Sequence, residues 1–207
     1  MNAHILTIGD EILIGQTLNT NAAYIGNRLI ELSINVNKTS VVADNEKAIL
    51  DEFRDSFAKN DLLIVTGGLG PTHDDITLSC IVKFFNSELV LNEDVLKDVN
   101  RIFSKRGRQV TKVNEEQAMV PKNAGVIRNS LGTAPGAWIE KDNKIFVVMP
   151  GVPFEMQEMM SSYVIPKLKE KIGVPEIVTG RINLQTTGIP ESYLFERLGD
   201  IKELLNG

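Results

Sequence analysis

Leu62-Leu63-Ile64-Val65-Thr66-Gly67-Gly68-Leu69-Gly70-Pro71-Thr72-His73-Asp74-Asp75 is the stretch that decides the fold. It opens on an unbroken apolar run, the pattern of a strand buried on both faces of a parallel sheet. From Ile76 to Phe85, the residues Leu78, Ile81, Val82 and Phe85 recur at helical spacing. A strand that passes through glycines into a helix leaves bare backbone N–H groups where an anion can approach. Glycine has no Cβ to block a phosphate and tolerates positive φ, and the helix N-terminus adds partial positive charge. Asp74 and Asp75 stand beside that anion site and would repel a phosphate unless a divalent cation lay between them. The same residues also admit a plain strand-to-helix turn, with Asp74 or Asp75 as N-cap.

The 207 residues fit one domain plus a remainder. The 22 basic and 27 acidic residues give a net charge of −5, and the basic residues are scattered, which argues against a nucleic-acid partner. Lys167-Leu168-Lys169-Glu170-Lys171 alternates in sign as a solvated helix end does. The single cysteine, Cys80, excludes an internal disulfide and a multi-cysteine zinc site, and its default role is a small buried filler. With only His4 and His73 present, a histidine-rich metal cage is excluded as well. The N-terminus enters the strand His4-Ile5-Leu6-Thr7-Ile8 at once, without signal-peptide features, and no run is long enough to span a bilayer. A cytoplasmic protein with no membrane partner is expected.

Strands and helices then alternate. Ala22, Ile25, Leu29 and Leu32 form a helical face, and Ile34 to Val42 alternates as a second strand. Asp44-Asn45 opens a helix with Ile49, Leu50, Phe53 and Phe57 on its buried face. Beyond the glycine loop and its helix, Glu93 to Lys105 is amphipathic, with Leu96, Val99, Ile102 and Phe103 inward and Gly107 as C-cap. Ala137 to Glu140 and Lys144 to Met149 predict a hairpin around Asp142-Asn143, and Met156 to Leu168 a helix interrupted near Pro166. The order predicts an α/β fold in three α/β/α layers around a mostly parallel, doubly wound sheet. The region Gly125 to Asn143, with Val126, Ile127, Trp138 and Ile139, is expected to lie outside that core and to present apolar surface to a partner.

In such a sheet, ligands bind beyond the carboxyl ends of the strands. The first strand ends at Gly9-Asp10-Glu11 and continues to Gly15 and Asn19-Thr20-Asn21, and the second ends at Asp44-Asn45. Gly132-Thr133-Ala134-Pro135-Gly136 precedes the hairpin, and Ile145 to Val148 runs into Met149-Pro150-Gly151-Val152-Pro153-Phe154-Glu155. Parallel neighbours would bring these ends to one rim, although each residue taken singly fits a cap or a turn.

Together these motifs resemble the N-terminal domain of the competence/damage-inducible protein A (CinA) family, which is similar to the molybdopterin-binding fold of MoaB, MogA and gephyrin. The resemblance covers about residues 1–170. Val152 and Phe154 depart from a Gly-Pro-Pro-Ser-Glu run common in the family, and His73 stands where lysine is frequent. The reading gives a molybdopterin-binding-like domain over 1–171. Residues 172–207, with Thr186-Thr187-Gly188-Ile189-Pro190-Glu191-Ser192, resemble the beginning of the family's KH-like α+β middle domain. Nothing in the chain resembles the family's nicotinamide-nucleotide deamidase domain, so deamidation is not assigned.

The resemblance implies metal-dependent hydrolysis of ADP-ribose to AMP and ribose 5-phosphate, with Mg²⁺ or Co²⁺, by a homodimer. Gly67, Gly68 and Gly70 form the diphosphate cradle in this reading, with Thr72 donating a hydroxyl. Asp44 and Asp75 match the two essential aspartates of the MogA-type pattern and are assigned to metal and water, with Asp74 and Glu11 as second choices. Asn19, Asn21, Gly136, Gly151 and Glu155 shape the nucleoside or ribose pocket. Molybdopterin binding with adenylyl transfer, and a nucleotide-binding module without turnover, are the alternatives.

Overall fold

A computed structural model describes residues 1–72, 75–105, 107, 111–173 and 185–199. Strand β1 (Asn2–Ile8) is an inner strand of the main sheet, and its side chains alternate between two cores: Ala3 and Ile5 face one layer of helices, Leu6 and Ile8 the other. After the short helix α1 (Asp10–Leu13), helix α2 (Thr20–Ile30) starts at Asn19, whose side chain accepts from the Ala22 amide. It lays Ile25 and Leu29 on the first face of the sheet. Strand β2 (Asn35–Val42) runs parallel to β1, and α3 (Glu46–Lys59), capped by Asn45, covers the second face. The chain then returns to the other side of β1 as β3 (Leu62–Thr66) and continues into α4 (Thr77–Phe85).

An excursion follows: β4 (Leu89–Leu91), α5 (Glu93–Lys105), α6 (Lys112–Glu116) and β5 (Met119–Pro121), with β4 and β5 paired in a separate two-stranded ribbon. Val95, Val99 and Ala118 form its own small core. The chain rejoins the main sheet as β6 (Gly125–Ile127), β7 (Gly136–Lys141) and β8 (Lys144–Met149). Helix α7 (Pro153–Met159), a π-helical turn (Met160–Val164) and α8 (Ile165–Ile172) close the first layer, and α9 (Glu191–Leu198) lies in the last described segment.

The six strands run in the order β2-β1-β3-β8-β7-β6; the first four are parallel, and β7 runs antiparallel to both of its neighbours, β8 and β6. Three α/β/α layers around a mostly parallel sheet are as the alternation predicts. The order in which strands are added reverses between β1 and β3, which remain parallel, and such a switch point opens a crevice at the strands' carboxyl ends. On the α3/α4 side, Phe53, Phe57, Phe84, Phe85 and Phe146 meet edge-to-face with centroids 4.8–5.7 Å apart. Each such contact adds about 0.5–1.5 kcal/mol beyond area burial. Cys80 is buried as filler in that same core.

One expectation is corrected. The 125–143 region is no appendage, because β7 is hydrogen-bonded to β8 and β6 to β7, which extends the main sheet. Trp138, Ile127 and Ile139 are buried in the two sheet cores, and Lys167 caps the Trp138 ring 4.7 Å from its centroid. The 142–143 turn is as predicted, with both residues at positive φ. Of the 172–207 segment, residues 174–184 and 200–207 lie outside the described residues.

Candidate functional site

At the β1/β3 switch point lies a cleft of about 550 Å³, a size suited to a small molecule. Its walls come from four strand ends: Gly9 and Glu11 after β1, Asp44 after β2, Gly67 to Pro71 after β3, and Pro150 to Pro153 after β8. Asn19, Asn21, Asp75 and Glu155 also line it, so ten of the predicted residues share one cavity: Glu11, Asn19, Asn21, Asp44, Gly67, Gly68, Gly70, Asp75, Gly151 and Glu155. Thr72 and Gly136 line instead a smaller adjoining pocket of about 210 Å³, which shares Gly70, Asp75 and Gln117 with the first. Asp74, with His73, lies outside the described residues.

The glycine loop is shaped by close approach. Gly67 has φ 103°, donates its amide to the Met149 carbonyl at 3.1 Å, and lies so near β1 that a Cβ would meet the Ile8 carbonyl oxygen at 2.1 Å. Glycine is therefore the residue that can join β1, β3 and β8 at this point. The next amides, of Gly68, Leu69 and Gly70, have no hydrogen-bond partner among the described residues, and all three residues face the cleft. An anion there would meet donors already in place.

Around this donor loop stand carboxylates held by backbone. Asp44 Oδ2 accepts from the Asp10 amide at 3.0 Å, and Asp10 Oδ1 accepts from the Asp44 amide at 3.4 Å, which ties the ends of β1 and β2 together. Burial pushes the Asp44 carboxyl above its ordinary value; the Asp10 backbone hydrogen bond opposes this, and the charges of Asp10, Glu11 and Asp75 reinforce it. Asp75 accepts from the Thr72 amide at 2.9 Å and from the Thr72 hydroxyl. That hydroxyl, expected to serve a phosphate, is thus turned toward Asp75. Asp75 also does not cap α4, whose N-cap is Ile76 with no side-chain bond. It sits over Gly70, where a Cβ would lie 2.5 Å from its Oδ2.

Asn19 and Asn21 differ in kind. Asn19 is tied into the fold, donating to the Thr7 hydroxyl at 3.0 Å while capping α2. Asn21 donates to the Gly151 carbonyl at 2.7 Å, but its buried Oδ1 has no partner. Gly136 serves packing, since a Cβ would meet the Val148 carbonyl oxygen at 2.6 Å. Sequence reasoning missed Thr7, Gln117, Thr133 and Asn129. The first three line the cleft, and Asn129 holds Glu155 at 2.7 Å. Asn129-Ser130-Leu131-Gly132 has the composition of an Asx turn, a signal that could have found it.

Residues 4–170 match the family described as "Probable molybdopterin binding domain". A CinA-like protein of Flavobacterium psychrophilum is 42% identical over 199 residues, covering 96% of this chain and 47% of that protein. The chain spans about half the length of the curated relatives it matches. The crystal structure of CinA from Thermoplasma acidophilum, described as of unknown function, is 37% identical with a TM-score of 0.71, covering 83% of this chain and 96% of that one. The molybdopterin biosynthesis enzyme MoaB from Thermus thermophilus shares the fold at 18% identity, with a TM-score of 0.54 over 83% of this chain and 93% of that one.

Proposed function

The chain belongs to the family of probable molybdopterin-binding domains and, within it, to the CinA proteins, and from that membership we propose that it hydrolyses the pyrophosphate bond of ADP-ribose or a related nucleotide, giving AMP and ribose 5-phosphate. The observation that carries this reading is one cleft in which three unpartnered loop amides face carboxylates from the ends of β1 and β2 and from the loop after β3. Amides alone would suit any anion. Amides opposed by carboxylates suit an anion that arrives with a cation.

Among the described residues, no three of His, Cys, Asp and Glu gather closely enough to cage an ion. Mg²⁺ ordinarily takes only one or two protein carboxylates and completes its shell with phosphate oxygens and water, so Asp44 and Asp75 fit a cation shared with the substrate, with Glu11 in reserve. Such a cation would neutralise the diphosphate and acidify a water. The amides of Gly68, Leu69 and Gly70 would hold the non-bridging oxygens and the charge of the leaving phosphate. Asp44, fixed by the Asp10 amide, and Asp75, fixed by Thr72, would orient the attacking water.

The purified chain incubated with ADP-ribose and Mg²⁺ or Co²⁺ should release AMP, resolved by chromatography, and release none when the cation is chelated. The family's name favours a second reading, in which the same loop holds a pterin phosphate. Binding of molybdopterin with no AMP from ADP-ribose would select that reading, and binding of ADP-ribose without consumption would select a nucleotide-binding module. The homodimer belongs to the same proposal, and a single-chain mass in light scattering at micromolar concentration would reject it.

A further inference from the structure

The turn before β7 carries a side-chain clamp on Glu155, a residue the family resemblance implies for the nucleoside or ribose pocket, and the clamp itself has no role assigned above. Asn129 is 4% exposed, and its amide is fully engaged. Nδ2 donates to the Ala134 carbonyl at 2.9 Å and to Glu155 Oε2 at 2.7 Å, while Oδ1 accepts from the amides of Leu131 at 3.1 Å and Gly132 at 2.7 Å. A side-chain amide has two donors and one oxygen with two lone pairs, so this one is saturated. It joins Glu155, in the first turn of α7, to a loop 26 residues earlier in the chain.

Gly132 makes the joint possible. A Cβ at that position would lie 2.3 Å from Glu155 Cδ and from both carboxylate oxygens, so the carboxylate rests face-on over the Gly132 Cα. Its φ is outside the left-handed region, and glycine stands there for space alone. Glu155 lines the cleft beside Thr133 and Ala134. Its Oε1 has no hydrogen-bond partner, and no lysine or arginine pairs with it, among the described residues.

We propose that Asn129 is a positioning residue that aims Glu155 Oε1 at a hydroxyl of the ligand, which makes this corner of the cleft the recognition point for a ribosyl group. The inference rests on the nucleotide reading above. An acidic side chain at this corner, with no cation beside it among the described residues, is a poor neighbour for phosphate. The diphosphate therefore belongs at the glycine loop, and a neutral, hydroxyl-bearing part of the ligand belongs at Glu155. Glu155 is half-buried, and an acceptor held in place and shielded in part from water disfavours a ligand that lacks the matching donor.

Calorimetric titration with AMP against 2′,3′-dideoxy-AMP, and with ribose 5-phosphate against 2-deoxyribose 5-phosphate, tests this. The unaltered chain should prefer the hydroxylated member of at least one pair by about tenfold or more, the size expected for a hydrogen bond to a charged group. Asn129→Ala should reduce that preference toward unity by weakening the hydroxylated ligand while leaving its deoxy counterpart unchanged, and Gly132→Ala should do the same by displacing the carboxylate. Glu155→Gln, which keeps the side chain's size, should narrow the preference even if both loop variants unfold. Absence of any preference in the unaltered chain, or equal weakening of both ligands by every variant, overturns the inference and leaves the hydrolase reading standing. Failure of every nucleotide and sugar phosphate to bind overturns both.

Discussion

Strand β1 carries a polar cluster near each end, and the two are built on opposite terms. Near its amino end, His4 is fully buried under α3, with Nε2 2.7 Å from the Ser40 hydroxyl and Nδ1 bonded to the Ser56 hydroxyl. Glu52 closes that cluster, accepting from Ser40 at 3.0 Å and from Lys38 at 2.5 Å. Beyond the carboxyl end, the amides of Gly68, Leu69 and Gly70 and the Oδ1 of Asn21 have no partner among the described residues, and Asp44 faces like charges. The first cluster satisfies itself and holds β1, β2 and α3 together. The second leaves donors and acceptors to be satisfied by something from outside. Buried polar groups are hydrogen-bonded as a rule. Of the four buried side-chain atoms without a partner among the described residues, Asn21 Oδ1 is the one in a residue that lines the cleft. The loop amides belong to half-exposed or exposed residues.

The largest expected effect breaks the comparison at the carboxylates. Asp75→Asn keeps an oxygen that can accept from Thr72, so the loop should hold and thermal stability should barely change. Turnover of ADP-ribose should nevertheless fall about 10²–10³-fold, the scale of losing one preorganised charge-stabilising group. Asp44→Asn should fall as far, since both carboxylates line one cleft. Near-normal hydrolysis by either variant at saturating cation would remove that residue from the machinery.

Next in size is the glycine loop. Gly67→Ala would strain a residue at φ 103° and press a methyl group against the Ile8 carbonyl at 2.1 Å. Together these should cost about 3 kcal/mol of unfolding free energy, read from a urea titration. Gly151→Ala is the matched control, because its Cβ would stand at 3.4 Å from the Gly67 Cα with no positive φ. It should cost less than about 1 kcal/mol. Equal costs would show that the loop adjusts as a whole and that Gly67 is not its fixed point.

The two clusters should also respond to acid with opposite sign. Burial and the charge of Lys38 lower the His4 pKa from 6.5 to about 4, against the pull of Glu52 and Asp55. The unfolded chain therefore takes up a proton that the folded chain refuses. Stability from this group is complete above about 6.5 and is lost as pH falls toward 4, a change on the order of 2–3 kcal/mol. Asp44 works the other way: its folded value is raised, so its ionised form opposes folding, and that penalty is relieved as pH falls. Unfolding free energies between pH 7 and 4 should decline in the unaltered chain and flatten in His4→Gln. An unchanged slope in that variant would assign the acid sensitivity elsewhere.

Much of this contrast was legible in the sequence, and the part that was not has physical reasons. The parallel half announced itself because β1 and β3 are buried on both faces, and because Asn19 and Asn45 cap helices with the residue type such positions favour. Strands β4, β5 and β6 have three residues each, too few to show a period of two. Trp138 was assigned to an appendage because alternation says which face of a strand is apolar, not which sheet the strand joins. The interruption near Pro166 is a π-helical turn just before it, Met160–Val164, in keeping with a residue that has no N–H to give to the helical ladder. Asp44 and Glu155 could be found as strand-end carboxylates. Asn129 could not be found that way, because its meaning lies in a partner on another element.

The smallest expected effect tests the rule behind the comparison. Asn21→Ala removes the bond to the Gly151 carbonyl, but Gly151 is exposed and water can replace the lost donor. The same change deletes a buried oxygen that has no partner. A lost hydrogen bond costs about 0.5–1.5 kcal/mol, while an unsatisfied buried acceptor is itself a penalty of about 1–3 kcal/mol. The two should nearly cancel, leaving a stability change within about 1 kcal/mol in the ligand-free chain. Asn129→Ala, at a side chain whose four bonds are all made, should cost clearly more in the same urea titration. A loss of about 3 kcal/mol or more on Asn21→Ala, a size reserved for breaking a satisfied buried network, would mean that Oδ1 is bonded in solution. The contrast between a closed cluster at one end of β1 and an open one at the other would then fail at Asn21, and the loop amides alone would carry it.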